Sequence, residues 1–579
     1  LKAEAKKGKK LQKNSAKELA QPAGFSGKLR FVFLFIIIAM SFLAVYKSAG
    51  YGFVNYDDDV YVYNNSSIRE FGFSSLVSFF TGNVGQYPPS VMVVFSLLYH
   101  FFGLDPAAYH SINIIFHLAN TLLVFFLVMK LRPGLITATV AALLFGIHPL
   151  HVESVAWITE LKDVLYTFFF LAGLLSYLAY RNNSAKTRNY VFSLGFFILS
   201  CFSKGMAVVF PVILVLIDFY FEKSFLKIKW LNKLPFFVIA AAWGFITVFT
   251  QSQIGAVSNE NYFLPRSILI VFYGSMFYIV KMFLPVNLSA FYPLPTGTGF
   301  SLPLVYYFSF AGIAGLTYLL YRFRKSVVFV FGTLFYLVNL ALVLQIIPVG
   351  MAVTADRYFY LSSFGLFFIA GAGFEWMYNR YLQQRFIIIS ASIVISFSLI
   401  MLSNHQIAYW KSSISLWDNV LKNASTNHRY SVAFLNRGNA RSDTGDMDGA
   451  IDDYSKAIGL DSRKAEAYNN RGMILAMRSN FEEAEMDFSK ALSIFPDYAT
   501  AFNNRGNVRR SLGNLSGALD DYSKAIMNKP GYADAYSNRG IVYFLTGDTL
   551  SACNDWQNAA NLGSVNAKNY LQQYCSTSK

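Results

Sequence analysis

Long apolar runs dominate the first four hundred residues and limit what this chain can fold into. Stretches of about 15–20 apolar residues bounded by charge have the length of membrane spans. They fall at 31–47, 108–130, 134–148, 163–180, 189–203, 206–221, 234–250, 303–321, 326–347, 362–378 and 386–402. Two more, 89–103 and 266–283 with its internal Lys281, read as interfacial or re-entrant helices. Only 14% of residues are charged, against about 25% in soluble domains, so most of the chain belongs in lipid. Residues 403–579 are different: polar and dense in Asp, Asn, Arg and Lys.

A net charge of +16 would suit a nucleic-acid binder, but its placement argues against one. Much of it lies in a tail (Lys2, Lys6, Lys7, Lys9, Lys10, Lys13, Lys17, Lys28, Arg30) and in short loops between apolar runs. That is the signature of membrane orientation, in which basic loops stay in the cytoplasm. Residues 1–30 therefore read as a basic cytoplasmic tail lying on an anionic inner leaflet. The tail does not read as a signal peptide, and Leu1 in place of Met suggests a trimmed sequence. Basic loops at Lys130/Arg132, Arg181/Lys186/Arg188, Lys223–Lys233, Arg322–Lys325 and Arg380/Arg385 stay on one side if 89–103 and 266–283 do not cross. Eleven spans follow, and an odd number places residues 403–579 outside the cytoplasm.

The tripeptide Asn-Arg-Gly recurs at 436–438, 470–472, 504–506 and 538–540, a spacing of 34 residues. That is the tetratricopeptide period, a helix pair per repeat. Ala450, Ala484, Ala518 and Ala552 recur in phase, as do Tyr454, Phe488, Tyr522 and Trp556. Small residues let paired helices approach, and aromatics fill the space between repeats. The fold class is thus all-α: a polytopic bundle followed by an α-solenoid, with a half repeat near Trp410–Leu421 and a cap at 563–575. Arg437, Arg471, Arg505 and Arg539 stand at a position that prefers Leu. They read either as a ladder gripping a peptide or as surface Arg satisfying neighbouring acids. Cys553 and Cys575 lie in the last repeat and its cap, in a domain placed in an oxidising compartment, and are expected to form a disulfide.

The same topology gathers five polar clusters at the outer face: Asp57-Asp58-Asp59, His148-Pro149-Leu150-His151-Val152-Glu153, Glu160-Leu161-Lys162-Asp163, Ser203-Lys204-Gly205 and Ala355-Asp356-Arg357-Tyr358. A charge at bilayer depth costs roughly 2.5–3.5 kcal/mol, so such groups have a partner or a task. The three acids sit among Phe53, Tyr56, Tyr61 and Tyr63, where perturbed carboxylates suit a general base or a metal ligand. His148 and His151 lack a zinc signature and read equally well as hydrogen-bonded corner residues. Lys204 suits a phosphate headgroup or simply snorkels. Arg357 beside Asp356 is either a structural ion pair or a phosphate clamp.

Phe53-Val54-Asn55-Tyr56-Asp57-Asp58, His148-Pro149-Leu150-His151-Val152-Glu153-Ser154-Val155-Ala156-Trp157, Lys162-Asp163, Pro285-Val286-Asn287-Leu288-Ser289 and Ala355-Asp356-Arg357-Tyr358 occur in that order before the repeats. Together they closely resemble the transmembrane-and-tetratricopeptide-repeat O-mannosyltransferases and their prokaryotic relatives. The resemblance implies a glycosyltransferase of the GT-C class over residues 31–402, followed by an extracytoplasmic repeat domain at 403–579. It further implies a polyprenyl-phosphate-linked sugar as co-substrate, and acceptor proteins met during or after translocation, alongside a translocon. Asp57 would be the base for an acceptor hydroxyl, with Asp58 orienting it or helping to bind a metal. Relatives usually show Pro after the acid pair; Asp59 here leaves open which two acids work together. Lys204 and Arg357 would neutralise the departing lipid phosphate, with His148, His151, Glu153, Lys162, Asp163, Asp356 and Tyr358 in support. A divalent cation, Mg²⁺ or Mn²⁺, is the one cofactor this reading admits, with no ligand set assigned. The short array is more in keeping with a bacterial inner-membrane protein and a periplasmic repeat domain than with an endoplasmic-reticulum member and a lumenal one. Two other readings stay open: transfer of a whole lipid-linked oligosaccharide, and a non-catalytic membrane-anchored scaffold.

Overall fold

The computed structural model describes residues 27–81, 88–253, 264–295, 302–346, 350–422, 424 and 427–575. Most of the basic tail, residues 1–26, lies outside the described part. The described chain is almost entirely helical; its strands are Tyr292–Pro293 and Ala352–Thr354, paired antiparallel.

Every apolar segment expected to span is helical over most of its length, but the tally of spans differs. Among the described residues eight helices are long and apolar enough to cross a membrane, and a ninth crossing results if Leu135–Ile147 and Pro149–Ala156, bent by 54°, form one broken span. Val327–Val343 is apolar but shorter, and Thr187–Ser203 has 17 residues. The expectation that 266–283 lies at the interface is not met by its dimensions: Arg266–Phe283 is an 18-residue helix with the hydropathy of a span. Arg266 and Lys281 sit at its two ends and leave the middle uninterrupted. The odd span count therefore does not follow from helix lengths. Phe359–Arg380 is less apolar because its last turns carry Glu375, Asn379 and Arg380, while its first half packs inside the bundle. A Cβ on Gly365 would lie 2.1 Å from the Gly332 carbonyl oxygen, so the two helices cross backbone to backbone, as small residues permit in membranes.

The bend at 148–160 leaves backbone groups without helical partners, a heavy cost in an apolar interior. One stripe of the helix Pro106–Leu131 supplies the substitutes. Asn113 Nδ2 donates to the carbonyls of Val155, Trp157 and Ile158, and Asn120 Nδ2 donates to Val164. His117 Nε2 donates to Gly146 and pairs through Nδ1 with Tyr360 Oη at 2.8 Å.

Four helix pairs follow, Ser431–Asp443 with Met447–Leu460 through Ala533–Leu545 with Thr549–Asn561, and Val565–Tyr570 begins the cap. The glycine of each Asn-Arg-Gly makes room for the aromatic 16 residues later. A Cβ on Gly438, Gly506 or Gly540 would come within 2.6–2.7 Å of Tyr454, Tyr522 or Trp556. Cys553 and Cys575 are joined, with Cα atoms 5.9 Å apart, and Cys201 is a buried free thiol. Closing a 22-residue separation contributes about 3 kcal/mol on the chain-entropy model. In the denatured, unreduced protein a thiol reagent should modify Cys201 alone. Label at Cys553 and Cys575 would contradict the bridge.

Candidate active site

The acidic loop begins after the helix Lys28–Gly50, and its acids are not equivalent. Asp58 is buried, and both of its carboxylate oxygens are engaged locally. Its Oδ2 accepts from the Val54 amide at 3.0 Å; its Oδ1 accepts from the Thr159 amide at 3.1 Å and the Thr159 hydroxyl at 2.5 Å. It thus staples the loop to the bend. Asp57, its neighbour, is exposed and has φ of +70°, a left-handed conformation that costs a non-glycine residue about 1–3 kcal/mol. Among the described residues its carboxylate has no hydrogen-bond partner, and its charge acts on Lys162. Asp59 opens a short π-helical turn, Asp59–Tyr63, and is half-buried.

Beside Asp57, Tyr56 stacks on Trp157 with centroids 4.4 Å apart and planes 8° from parallel. Trp157 in turn lies between Arg357 and Lys162, at 5.3 and 5.5 Å from its ring. These two cations and Lys204 converge on the fully buried Glu160. Lys162 Nζ is 3.2 Å, Arg357 Nε 3.4 Å and Lys204 Nζ 3.6 Å from its carboxylate. Glu153 takes the Arg357 backbone amide at 2.9 Å and its guanidinium at 2.5 Å. Asp163 takes Lys204 and the Ser154 hydroxyl. The three acids are at most 2% exposed, whereas the three cations are 15–17% exposed. The cluster is formally neutral, with its acids fully buried and its cations partly exposed.

Other expected site residues stand behind this surface. His148 donates to the Met282 carbonyl and accepts from the Leu150 amide. His151 donates to the Phe145 carbonyl and pairs with Ser363. Both fix the corner, as their hydrogen-bonded reading has it. Asp356 accepts from Tyr292 across the strand pair, and Tyr358 packs under the Arg357 guanidinium. Among the described residues no three His, Cys, Asp or Glu side chains could hold a metal. Asp58 is engaged by Val54 and Thr159, so Asp57 and Asp59 are the loop carboxylates that could meet a cation. The repeat arginines are engaged within the array: Arg471, Arg505 and Arg539 each make a two-pronged pair with Asp487, Asp521 and Asp555 and bond Ser455, Ser489 and Ser523. Arg437 pairs with Asp453 and Asp418. This geometry is that of Arg satisfying neighbouring acids.

Reading the sequence missed Asn55, whose three polar groups all engage the C-terminal domain. Its amide donates to Ser413 Oγ at 2.9 Å, its Nδ2 to the Asn436 carbonyl at 2.7 Å, and its Oδ1 accepts from Trp417 Nε1 at 2.8 Å. Asn427 bonds the Leu294 carbonyl nearby. Asn55 lies inside the acidic motif, so only its partners were hidden. Thr159 was missed as well, because one hydroxyl carries no pattern, and Glu160 was placed in a polar cluster but given no role.

Family models for the tetratricopeptide repeat match residues 438–478 and 506–547 and, in a second model, 465–498. The C-terminal domain is a tetratricopeptide-repeat array. A Caenorhabditis elegans protein O-mannosyl-transferase is 25% identical over 468 residues, 74% of this chain and 62% of that protein. The Homo sapiens protein O-mannosyl-transferase TMTC3 is 38% identical over 92 residues, 16% of this chain. The resemblance drawn from the motifs stands: the chain is similar to the protein O-mannosyl-transferases with tetratricopeptide repeats. The matched stretch spans only 10% of the human relative's length. A crystal structure of MamA is 29% identical, covering 27% of this chain and 90% of that chain, with a TM-score of 0.25.

Two predictions follow from the geometry. Burial pushes the Asp58 carboxyl up to about 7, against about 3.9 unfolded. The folded state then holds the proton more tightly, so this group's contribution is full below about pH 4 and is lost as pH rises through about 7. Melting curves between pH 4 and 8 should show a larger loss with rising pH in wild type than in Asp58→Asn. Asn55→Ala removes two side-chain hydrogen bonds of about 1 kcal/mol each. Hydrogen exchange over 413–436 should therefore speed up by about tenfold or more, with exchange in the last repeat unchanged.

Proposed function

We propose that the protein is a membrane glycosyltransferase that moves a sugar from a polyprenyl-phosphate carrier to a hydroxyl of an acceptor protein. The observation that carries this reading is an exposed, strained Asp57 beside a surface where three cations present their charge. Asp57 takes the proton of a Ser or Thr hydroxyl. The hydroxyl oxygen bonds to the anomeric carbon as the bond from that carbon to the lipid-phosphate oxygen breaks, with inversion. Negative charge grows on the leaving phosphate, and Lys204, Arg357 and Lys162 meet it from preset positions, which lowers the barrier without reorganisation at the moment of reaction. Asp58 holds the loop in register. Tyr56 on Trp157 gives the sugar an aromatic wall.

In this reading residues 31–402 form the GT-C catalytic domain, and the names of the relatives point to mannose as the sugar. The Asp57 loop and residues 403–579 face away from the cytoplasm, and basic loops and the tail face it. A bacterial inner membrane with a periplasmic array fits the short array, and acceptors arrive during or after translocation. Purified protein in detergent, given a polyprenyl-phosphate sugar and a Ser/Thr peptide, tests the reading. Asp57→Asn should slow transfer by about 10²–10⁴-fold with an unchanged melting temperature. Transfer at the wild-type rate would make the carboxylate structural and favour an anchored scaffold.

A further inference from the structure

The helix Gly205–Glu222 starts beside Lys204, and at 1.5 Å per residue its 18 residues cover roughly 27 Å, close to the apolar thickness of a bilayer. The chain returns through Leu234–Ser252, and the two helices meet where the first begins: a Cβ on Gly205 would lie 2.8 Å from Thr247. The segment that joins them, residues 223–233, therefore lies at the opposite end from Lys204, at the membrane boundary.

This segment is pinned from inside. Lys223 ends the first helix with φ of +54°. Lys233 is buried and pairs with Asp218, which also accepts from the Tyr177 hydroxyl at 3.0 Å. The Asn232 carbonyl accepts from the Tyr190 hydroxyl at 3.0 Å, and its Nδ2 donates to the Tyr180 hydroxyl at 3.2 Å. Ile228 is buried as well, and Glu222 is taken by Arg181 at 2.6 Å. What remains exposed is mixed in character. Leu226, Trp230 and Leu231 are 97, 52 and 83% exposed. Interleaved with them are Lys223, Lys227 and Lys229, all exposed, while the acids at this end, Asp218 and Glu222, are engaged by Lys233 and Arg181. Large apolar side chains are unfavourable in water, and ammonium groups are unfavourable among acyl chains. The headgroup boundary satisfies both, and Trp favours that level. Because the backbone is fixed, the lysines and the apolar groups keep constant neighbours, as a binding site requires.

We infer that residues 223–231 bind an anionic glycerophospholipid, its phosphate meeting Lys223, Lys227 and Lys229 and its acyl chains covering Leu226, Trp230 and Leu231. The site is separate from the cation cluster and independent of the transfer reaction. One lysine near an anionic surface is worth a factor of about five, so three together give up to about a hundredfold preference over a zwitterionic lipid.

Full-length protein in detergent is titrated with phosphatidylglycerol and with phosphatidylcholine of the same acyl chains, and bound lipid is counted by native mass spectrometry. Wild type should bind phosphatidylglycerol about tenfold or more tightly; equal binding overturns the inference. The triple variant Lys223→Gln, Lys227→Gln, Lys229→Gln should lose most of that preference. The variant Arg322→Gln, Arg324→Gln, Lys325→Gln, in another basic loop, should keep it. Equal loss in the two variants, or none in the first, would make the preference one of diffuse charge and remove the site. Excess inorganic phosphate should leave the lipid bound; displacement would assign the lysines to a soluble anion instead. In proteoliposomes of the two lipids, a nitroxide on Leu226→Cys should be relaxed more by oxygen, which dissolves among acyl chains, than by a water-soluble nickel chelate. The reverse order would place the apolar face in water, open to a protein partner, and the lipid site falls.

Discussion

Glu160 is fully buried, and a lone carboxylate in such a place carries a desolvation penalty of several kcal/mol. Three cations answer it from three segments. Lys162 lies two residues on, in the first turn of the helix Leu161–Asn182, Lys204 comes from the junction after Thr187–Ser203, and Arg357 from the turn Asp356–Tyr358. Each would be costly to leave unpaired. Their shared need for Glu160 therefore fixes where these segments meet at one end of the bundle. Glu153 and Asp163 complete the balance, so the cluster can bury its acids and leave its cations partly exposed.

That arrangement depends on an irregular backbone. The chain bends at His148, turns through three short helical pieces and only then enters the helix that carries Lys162 and Asp163. Asn113, His117 and Asn120 occur at near-helical spacing on one face, so a single straight helix satisfies a bent one. Asp58 uses the same bend: the Thr159 amide it accepts is one that the break left without a helical partner. The acidic loop, the bend and the cation cluster are consequently one unit, and Asn55 extends it into the array. The two domains meet through side chains within two residues of Asp57, which links the position of the first repeat to the geometry of the site.

Much of this was legible from residue order alone. Apolar length revealed the helices, and the 34-residue period revealed the repeats. Acids, lysines and arginines inside apolar surroundings marked Asp57, Asp58, Lys204 and Arg357 as residues that need partners. Sequence could not rank Asp57 against Asp58, because the difference is a hydrogen-bonding environment built by Val54 and Thr159. It treated 266–283 as non-spanning because a crossing there would flip the basic loops that follow, whereas the helix Arg266–Phe283 has the length and hydropathy of a span. For the repeat arginines, the acid sixteen residues later was visible in every repeat, and its significance depends on the helix pair that brings the two together.

Periodicity and hydropathy are local quantities, summed along the chain, and so the sequence by itself determined a membrane bundle followed by a helical solenoid. It also determined which side chains could not lie in apolar surroundings unaided. Which groups answer which is a matter of contact between distant segments: Glu160 with Arg357, Asp58 with Thr159, Asn55 with Asn436 and Trp417. Only the tertiary structure decided those pairings. A buried polar group is satisfied by geometry at about 3 Å, and nothing in residue order measures that distance.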